Sequence, residues 1–447
     1  MDLASAVRGT PPRLLLAQNA DDAYPPDRLE LLAALPLPLS GPAVHVAVLA
    51  DADQGVHVVP LVVDGGWARP ARSGDGVGVG VVDLVRSGAP TGPFQVRRCD
   101  PDRLALEGAL NEQVIASTTD LQRWLVADEL VVTVRRRPEV FSSAPVDGVA
   151  HLLAAGFSGL HHDHGDVVLV VGEAERAGAV DFDAGWVGPI LHVTAAATGA
   201  RLLRDELTGA LLSDVRGGDT PKAVALAEGL GELLARFHLA LATPTSDSTE
   251  PVAVAGPGLV ASWRRRTADS VASASVLADS GPAQRLRSGR DQVKDAVRSL
   301  DAGNGSAVLL GAALPGLEAV LLDTGGSMVF SPEVFTASVD GHPAAQDLAV
   351  VLRGIGHLAW TTHRRLVSAG DPVAVEQVAD WENGVRQTLV DAYVRGLHAG
   401  GRPDLFVAQL LTAFEVQAEC ELVVRAARTL STSMAVSDAA LAALLAP

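Results

Sequence analysis

The sequence predicts an α+β protein whose first half is rich in β-strands and whose second half is mainly helical. Before about residue 200, apolar residues alternate with polar ones or form short β-branched runs, which is typical of strands. After that point, apolar residues recur every three or four positions, which is the spacing of a helix. A single β interruption divides the helical part.

The β elements of the first half can be placed one by one. Residues 44–63 contain two β-branched runs around the turn sequence DADQG, which predicts a hairpin. Residues 113–137 predict an antiparallel pair that turns at residues 127–129. The continuous apolar run at 166–175 predicts a buried strand. A Gly- and Pro-rich stretch at 65–94 closes a small N-terminal unit.

The helical elements follow the same order along the chain. Residues 221–242 have apolar positions at helical spacing, and residues 243–258 are polar and contain prolines, as loops do. Helical patterns resume over residues 259–300. A strand pair is predicted over residues 307–323, and helices continue from residue 344 to the end.

Composition excludes several classes of protein. The chain has 447 residues, of which 48% are hydrophobic and 20% are charged, so it is globular and long enough for two or three structural units. Its formal net charge of −18 argues against nucleic acid or an anionic membrane surface as the main partner.

Two scarce residue types carry further information. Lys222 and Lys294 are the only lysines, so the first half of the chain has no ammonium group to offer a phosphate. Cys99 and Cys420 are the only cysteines, too few for a disulfide framework, which fits a reducing compartment. The N-terminal apolar stretch is too short for a secretory signal and no segment is long enough to span a bilayer, so we predict a cytoplasmic protein.

Four segments carry a resemblance to a known family. They are residues 59–78, residues 231–242 (GELLARFHLALA), residues 344–360 (AAQDLAVVLRGIGHLAW) and residues 413–430. In this order, they resemble the actinobacterial maltokinase and glucosamine kinase family. The resemblance implies a bilobal, protein-kinase-like (aminoglycoside-phosphotransferase-like) α+β fold. It also implies ATP and Mg²⁺ as cofactors and a small sugar as substrate.

The resemblance divides the chain into three predicted domains. Residues 1–95 correspond to the N-terminal cap, and residues 96–175 to a β-rich N-lobe. Residues 176–447 correspond to a helical C-lobe, in which residues 303–326 carry a degenerate catalytic loop.

In the N-lobe, the resemblance places a phosphate-binding lysine on the second strand of a hairpin. Thr133 occupies that position in the stretch Val131–Arg136. Arg135 points to the same face but lies about 7 Å further along the strand. The nucleotide hinge of the family corresponds to Glu173. We therefore expect Thr133, Arg135 and Glu173 to line a weakened nucleotide site.

In the C-lobe, the family has a catalytic loop of the type H-G-D-L-H-x-x-Q, and a metal-binding aspartate follows the catalytic one by 17 positions. Asp323 ends a strand and fits the metal-binding position, which places Ser306 at the catalytic aspartate and Gly311 at the metal-binding glutamine. Asp301 is a possible substitute base. A positioned base contributes about 10²–10⁴ in rate, so a serine there predicts a crippled enzyme.

The remaining predicted residues serve as scaffold or sugar contacts. Asp347 matches a scaffold aspartate, which in kinase-like folds accepts hydrogen bonds from the backbone of the catalytic loop. Glu415, Glu419 and Arg425 lie on the helix from which the family draws sugar contacts, although a solvated acidic face is an alternative. Trp360 can stack on a sugar ring or belong to the core.

The segment 160–166 (LHHDHGD) is the densest cluster of possible metal ligands. Its His-Gly-Asp triplet mimics a catalytic loop, but it lies between two predicted strands. We interpret it as a solvated hairpin loop, with adventitious zinc or nickel binding as the alternative.

Two hypotheses follow. The first is a pseudokinase that keeps the sugar kinase scaffold, has lost phosphoryl transfer, and binds a ligand or regulates a protein partner. The second is an active ATP-dependent kinase for maltose, glucosamine or a related sugar, in which Asp323 holds magnesium and Asp301 or Asp166 acts as base.

Overall fold

The structure, a computed structural model, describes most of the chain. The described residues are 3–16, 29–39, 43–51, 55–64, 67–88, 91–97, 111–117, 121–141, 148–161, 163–170, 186–196, 200–217, 221–246, 248–277, 280–314, 316–331, 335–371, 373–428 and 434–445.

The chain divides into two compact units. The first contains Met1–Pro145 and His161–Thr198, and the second contains Val146–Leu160 and Gly199–Pro447. The predicted domain boundaries near residues 95 and 175 stay predictions.

The first unit contains two antiparallel sheets. One has the strand order β1-β2-β3-β4, and the other has the order β5-β10-β11-β8-β7-β6, with β9 also paired to β11. The strands are β1 (Leu29–Pro36), β2 (Ala43–Asp51), β3 (Val56–Asp64), β4 (Trp67–Pro70), β5 (Phe94–Arg97), β6 (Glu112–Ser117), β7 (Leu121–Val126), β8 (Leu130–Arg135), β9 (Glu139–Phe141), β10 (Asp163–Val170) and β11 (Trp186–Ala195). The helices are α1 (Leu3–Gly9), α2 (Pro12–Leu16) and α3 (Val77–Ser87).

Both predicted hairpins of this unit are present. Strands β2 and β3 pair with Ala50 opposite Val56, as expected for residues 44–63. Strands β7 and β8 turn at residues 127–129, where Ala127 and Asp128 have φ values of 52° and 59°. Two successive positive φ angles match the right-handed twist of the flanking strands.

Helix α3 covers one face of the larger sheet and was missed by the sequence analysis. Its glycines lower helix propensity, so the local sequence does not indicate a helix. At Gly78, a Cβ atom would lie 2.6 Å from Cγ2 of Val126 and 3.1 Å from Cβ of Trp124. The glycine therefore permits a close approach of helix to sheet, and Val81 and Val85 pack into the same core.

The second unit is mainly helical and carries two small sheets, ordered β12-β15-β16 and β13-β14-β17. Its helices are α4 (Gly148–Ala154), α5 (Leu203–Asp214), α6 (Pro221–Leu241), α7 (Pro257–Ser275), α8 (Gly281–Ser288), α9 (Arg290–Ser299), α10 (Ala344–Ser368), α11 (Val375–Ala399), α12 (Leu411–Arg428) and α13 (Met434–Leu444). Its strands are β12 (Arg201–Leu202), β13 (Val252–Val254), β14 (Ala307–Ala313), β15 (Val320–Leu322), β16 (Met328–Phe330) and β17 (Thr336–His342).

The predicted strand pair over residues 307–323 is wrong in its pairing. Both strands exist, but β14 pairs with β13 and β17, whereas β15 pairs with β12 and β16. The short 3₁₀ turn Leu317–Ala319 lies between them and leads the chain from one sheet to the other. The predicted helices over 221–242 and from 344 onward are confirmed.

Helices α6 and α11 pack closely at Gly231, and we expect Gly231→Ala to destabilise the protein by about 1–3 kcal/mol. A Cβ atom there would lie 2.8 Å from Cβ of Ala392 and 2.9 Å from the backbone nitrogen of Tyr393, so the helices must separate. Urea unfolding measures the effect.

Gly209 in α5 provides the matched control for this prediction. A Cβ atom at Gly209 meets nothing within 4 Å, so Gly209→Ala is expected to stabilise the protein by about 0.5–1 kcal/mol. Equal effects of the two substitutions would contradict the packing argument.

No helix among the described residues is long and apolar enough to cross a membrane.

Candidate functional site

The Asp347 carboxylate is the centre of a buried polar cluster in the second unit. It lies in the first turn of α10 and is 1% exposed. Its Oδ1 accepts a hydrogen bond from the backbone N–H of Leu314 at 3.0 Å. Its Oδ2 lies 3.0 Å from Nε2 of both His238 and His342. The Tyr393 hydroxyl lies 2.8 Å from Nδ1 of His238 and continues the cluster.

Electrostatics within this cluster favour an ionised aspartate beside a neutral His238. Burial alone would raise the pKa of the Asp347 carboxyl, but His342 and His238 outweigh it, so that pKa lies below its usual range. Burial also lowers the pKa of His238, against the opposing effect of Asp347. Burial raises the pKa of Tyr393 well above its ordinary value, so its hydroxyl keeps its proton.

The backbone that Asp347 holds belongs to the segment 312–319, which has the sequence AALPGLEA. The segment begins in β14 and ends in the 3₁₀ turn before β15. Glu318 is its only ionisable residue and was not selected by the sequence analysis. Glu318 is exposed as a residue, yet protein atoms crowd its carboxyl group, which raises the pKa of that carboxyl; Arg425 and Arg204 oppose the shift.

Ser306 and Asp301 lie before the start of β14, whereas Leu314, which Asp347 binds, follows its end. Ser306 precedes the strand and Leu314 follows it, so at about 3.3 Å per residue they are about 25 Å apart. The Ser306 hydroxyl donates to the carbonyl of Gly303 at 2.7 Å. Asp301 is exposed and forms an ion pair with Arg264 at 3.1 Å. Neither residue is among the hydrogen-bond partners of the Asp347 cluster.

Asp323 lies in the tight turn that connects β15 with β16. Its Oδ1 accepts from the backbone N–H of Ser327 at 2.8 Å, as in many turns that begin with aspartate. No group of three His, Cys, Asp or Glu side chains in the described part of the chain is arranged to hold a metal ion. Mg²⁺ is usually held by one or two carboxylates together with substrate phosphates, so the role of Asp323 as a metal ligand stays a prediction.

A cavity of about 400 Å³ lies beside this turn. Gly326 and Met328 line it from the hairpin, and Lys222, Glu232 and Arg236 line it from α6. Lys222, one of the two lysines, also pairs with Glu206 at 2.7 Å. Among the sequence-predicted site residues that the structure describes, none lines the cavity.

Glu415, Glu419 and Trp360 are brought together by a buried ionic network. Arg353 is its centre: Nε donates to Glu415 at 3.1 Å, and NH2 donates to Glu382 at 3.4 Å. Its NH1 lies 3.8 Å from Oε2 of Glu419. The Trp360 indole N–H donates to Glu382 at 2.9 Å, so Trp360 is a buried part of the network.

Two further basic side chains complete this network. Arg386 contacts Glu415 at 2.7 Å, and Nε2 of His357 lies 2.7 Å from Glu419. Three buried carboxylates, those of Glu382, Glu415 and Glu419, thus share two guanidinium groups and the imidazole of His357. Arg353, Arg386 and Glu382 were missed by the sequence analysis because Arg353 lies on α10 and the other two lie on α11, and only the fold brings them to Glu415 and Glu419 of α12.

In the first unit, Thr133 and Arg135 lie on β8. Thr133 is fully buried, and Arg135 is half-buried. Thr133 lies opposite His192 on β11 and opposite Arg123 on β7. The predicted hinge residue Glu173 lies outside the described residues.

The interpretation of segment 160–166 as a solvated hairpin loop is wrong for Asp166. Residues from Asp163 onward belong to β10, where Asp166 is buried and forms a two-point ion pair with Arg97 of β5. His161 lies before the strand, and its Nε2 is 3.0 Å from the carbonyl oxygen of Ala195.

Comparison with known proteins identifies the relatives of this chain. No known family model matches it. A glucosamine kinase from Mycolicibacterium smegmatis (strain ATCC 700084 / mc(2)155) is 27% identical over 410 residues, which are 87% of this chain and 92% of that protein. The chain is therefore similar in sequence to a glucosamine kinase over most of its length.

Solved structures of glucosamine kinase are similar to this chain in fold. Crystal form B matches with a TM-score of 0.73 at 23% identity and covers 100% of both chains. Glucosamine kinase in complex with glucosamine, ADP and inorganic phosphate matches with a TM-score of 0.69 at 24% identity, again over 100% of both chains. The predicted α+β, protein-kinase-like fold is therefore confirmed.

The chain brings together only some of its predicted site residues. Glu415, Glu419 and Trp360 share one network, whereas Arg425 is exposed and acts electrostatically on Glu318. The predicted functional roles of all these residues stay predictions.

Proposed function

We propose that this glucosamine kinase homologue binds a small sugar and a nucleotide but lacks efficient phosphoryl transfer. One observation carries the proposal: the segment held by Asp347, residues 312–319, contains no aspartate, histidine, asparagine or glutamine. Phosphoryl transfer on this fold needs a carboxylate for the acceptor hydroxyl and polar ligands for the metal. Such a protein acts by binding, with a regulatory role towards a protein partner.

The hydrogen bond from Leu314 supports a register for the catalytic loop that differs from the one predicted by sequence. In kinase-like folds, the scaffold aspartate holds the backbone of the catalytic loop, and here it holds Leu314. In the family, the metal-binding aspartate follows the catalytic aspartate by 17 positions and comes directly after a strand. If Leu314 occupies the catalytic position, the metal-binding position falls on Ser331, which directly follows β16. The sequence-based register uses Ser306 and Asp323 instead.

Both registers lead to the same functional conclusion. Neither Ser306 nor Leu314 is a base, and a missing base lowers the rate by about 10²–10⁴. Thr133 supplies no positive charge where the resemblance expects a lysine, and the only lysines lie on α6 and α9 of the second unit. Several contributions are therefore absent together.

The buried acidic network supports a sugar ligand that carries an amine. Glu382, Glu415 and Glu419 are three carboxylates in contact with two guanidinium groups, those of Arg353 and Arg386, and with the imidazole of His357, and such an acidic set favours a cation nearby. The structural relative was solved with glucosamine, whose amine is protonated near neutral pH, together with ADP. Both ligands are proposed here by homology.

One observation favours the alternative of residual kinase activity. Glu318 follows the Asp347-held backbone by four residues, and crowding raises the pKa of its carboxyl. A carboxyl with a raised pKa is better suited to proton transfer at neutral pH. In this alternative, Glu318 accepts the proton of the sugar hydroxyl.

A binding assay combined with a sensitive turnover assay tests the proposal. We expect glucosamine and ADP to bind in calorimetry, while ADP release from ATP stays at background with glucosamine, maltose and related sugars. Sugar-dependent turnover that disappears in Glu318→Gln, or in Asp323→Ala, would refute the proposal. Asp391→Asn is the matched control, because Asp391 is an exposed carboxylate with no predicted role in the site. Absence of binding to either ligand would also refute it.

A further inference from the structure

The cavity between α6 and the hairpin of β15 and β16 has an apolar floor, formed by Leu226, Gly229 and Met328. Its volume of about 400 Å³ is in the range of small-molecule sites. A Cβ atom at Gly229 would lie 3.3 Å from Cε of Met328, so the hairpin approaches the helix closely at this glycine. Because Gly229 adds no side chain to the floor, the cavity has space for an apolar group.

Helix α6 contains four Lys, Arg, Asp or Glu residues, and two of them form ion pairs. Lys222 pairs with Glu206 at 2.7 Å, and Glu228 pairs with Arg395 at 2.9 Å. The charges of Lys222 and Glu228 are therefore compensated within the protein.

The other two charged residues of α6, Glu232 and Arg236, both line the cavity. Both are exposed, and in the part of the chain that the structure describes neither side chain forms an ion pair or a hydrogen bond. They are four residues apart with the glutamate first, an arrangement that favours pairing on a helix, with Cβ atoms about 5–6 Å apart. One carboxylate and one guanidinium group thus keep free hydrogen-bonding capacity at the same end of the cavity.

We propose that this cavity binds a free α-amino acid with an apolar side chain. The Arg236 guanidinium donates two parallel hydrogen bonds to the ligand carboxylate, and the Glu232 carboxylate accepts hydrogen bonds from the ligand ammonium group. Both charged groups of an α-amino acid are attached to one carbon, so two side chains one helical turn apart can reach them together. The ligand side chain lies on the apolar floor, where burial adds affinity.

The proposal goes beyond the proposed function and does not depend on it. The lining residues of the cavity include no member of the Asp347 cluster or of the Arg353 network. A zwitterion is favoured over a simple ion, because a cation alone is repelled by Arg236 and an anion alone is repelled by Glu232.

Isothermal titration calorimetry of the full chain tests the proposal with four probes: L-leucine, N-acetyl-L-leucine, L-leucinamide and glycine. N-acetyl-leucine lacks the ammonium group, leucinamide lacks the carboxylate, and glycine lacks the apolar side chain. We expect each of these three to bind on the order of tenfold more weakly than leucine. Absence of leucine binding, or equal affinity for leucine and N-acetyl-leucine, would overturn the proposal.

Two variants assign the two charged contacts separately. Glu232→Gln should weaken leucine binding on the order of tenfold and remove the preference for leucine over N-acetyl-leucine. Arg236→Gln should weaken it by a similar factor and remove the preference for leucine over leucinamide. Both side chains are exposed, so both variants should melt like the wild type. Leucine binding that neither variant weakens would show that the ligand does not contact these residues, and the proposal would be wrong.

Glu228→Gln is the matched control for charge. Glu228 is an exposed carboxylate one turn before Glu232 on the same helix, but it pairs with Arg395 and does not line the cavity. The variant should bind leucine like the wild type. A loss equal to that of Glu232→Gln would show that only the net charge of the helix matters, which contradicts the proposed contact.

Gly229→Leu tests the position of the ligand side chain. The new side chain occupies the floor without changing any charge, so it should weaken leucine binding on the order of tenfold or more. Gly209→Leu on α5, where a Cβ atom meets nothing within 4 Å, is its control and should have no effect on binding. Leucine affinity that Gly229→Leu leaves unchanged would place the ligand outside this cavity and refute the inference.

Discussion

Replacing Arg353 by methionine is expected to destabilise the protein by about 3–5 kcal/mol, because it leaves buried carboxylates without their central cation. Arg353 is 2% exposed and contacts Glu415, Glu382 and Glu419. Methionine fills much of the arginine volume, so the loss reflects charge more than a cavity. Urea unfolding of the wild type and the variant measures the difference.

An exposed ion pair gives the control for this prediction. Arg298 pairs with Asp295 on α9 with about 70% of both side chains exposed, so Arg298→Met should change stability by less than about 1 kcal/mol. The double variant Arg353→Met, Glu382→Gln should recover part of the loss, because it removes one of the uncompensated charges. A loss below about 1 kcal/mol in Arg353→Met would contradict the buried network.

Replacing Asp347 by alanine is expected to cost about 3–5 kcal/mol in stability. The substitution leaves the backbone N–H of Leu314 and the imidazoles of His238 and His342 without their acceptor, all inside the protein. Asp347→Asn keeps one acceptor oxygen and should cost clearly less. Asp391→Asn, at an exposed carboxylate, should change stability very little.

The same cluster makes stability depend on pH in a defined direction. The pKa of His238 is lower in the folded protein than its ordinary value of 6.5, so below that pH the unfolded chain takes up a proton that the folded chain does not. Stability is therefore fully present above about pH 6.5 and falls as the pH decreases, with a parallel contribution from His192. A melting temperature equal at pH 7.5 and pH 5.5 would contradict both assignments.

The sequence predicted those elements of the fold whose signals are local. The hairpin at residues 44–63 is encoded by alternation and turn residues, and the helix over 221–242 by apolar spacing. The pairing of β14 and β15 was wrong because each strand selects its partner from distant segments, such as β13 and β12. Helix α3 was missed because its glycines serve packing against Trp124 and Val126 rather than helix propensity.

In the candidate site, too, the sequence indicated single residues but not the partners that only the fold brings to them. Asp347 could be found from its local sequence, but its partner Leu314 is 33 residues away and could not. Spacing alone placed the catalytic position at Ser306, whereas the hydrogen bond of Asp347 supports Leu314. Glu415 and Glu419 share a helix face, which the sequence shows, but Arg353, which binds them together, comes from another helix.

One segment of the second unit is synthesised well before the rest of that unit. Residues 146–160 belong to the second unit, although the first unit surrounds them in sequence. They contribute Leu152 and Phe157 to a core whose other members include Phe237 and Phe330. At roughly 5–20 residues per second, the ribosome needs on the order of 10–40 s more to deliver those partners. During this interval, α4 has no core to pack against. A fragment that begins at residue 199 lacks α4 altogether, so its core lacks Leu152 and Phe157.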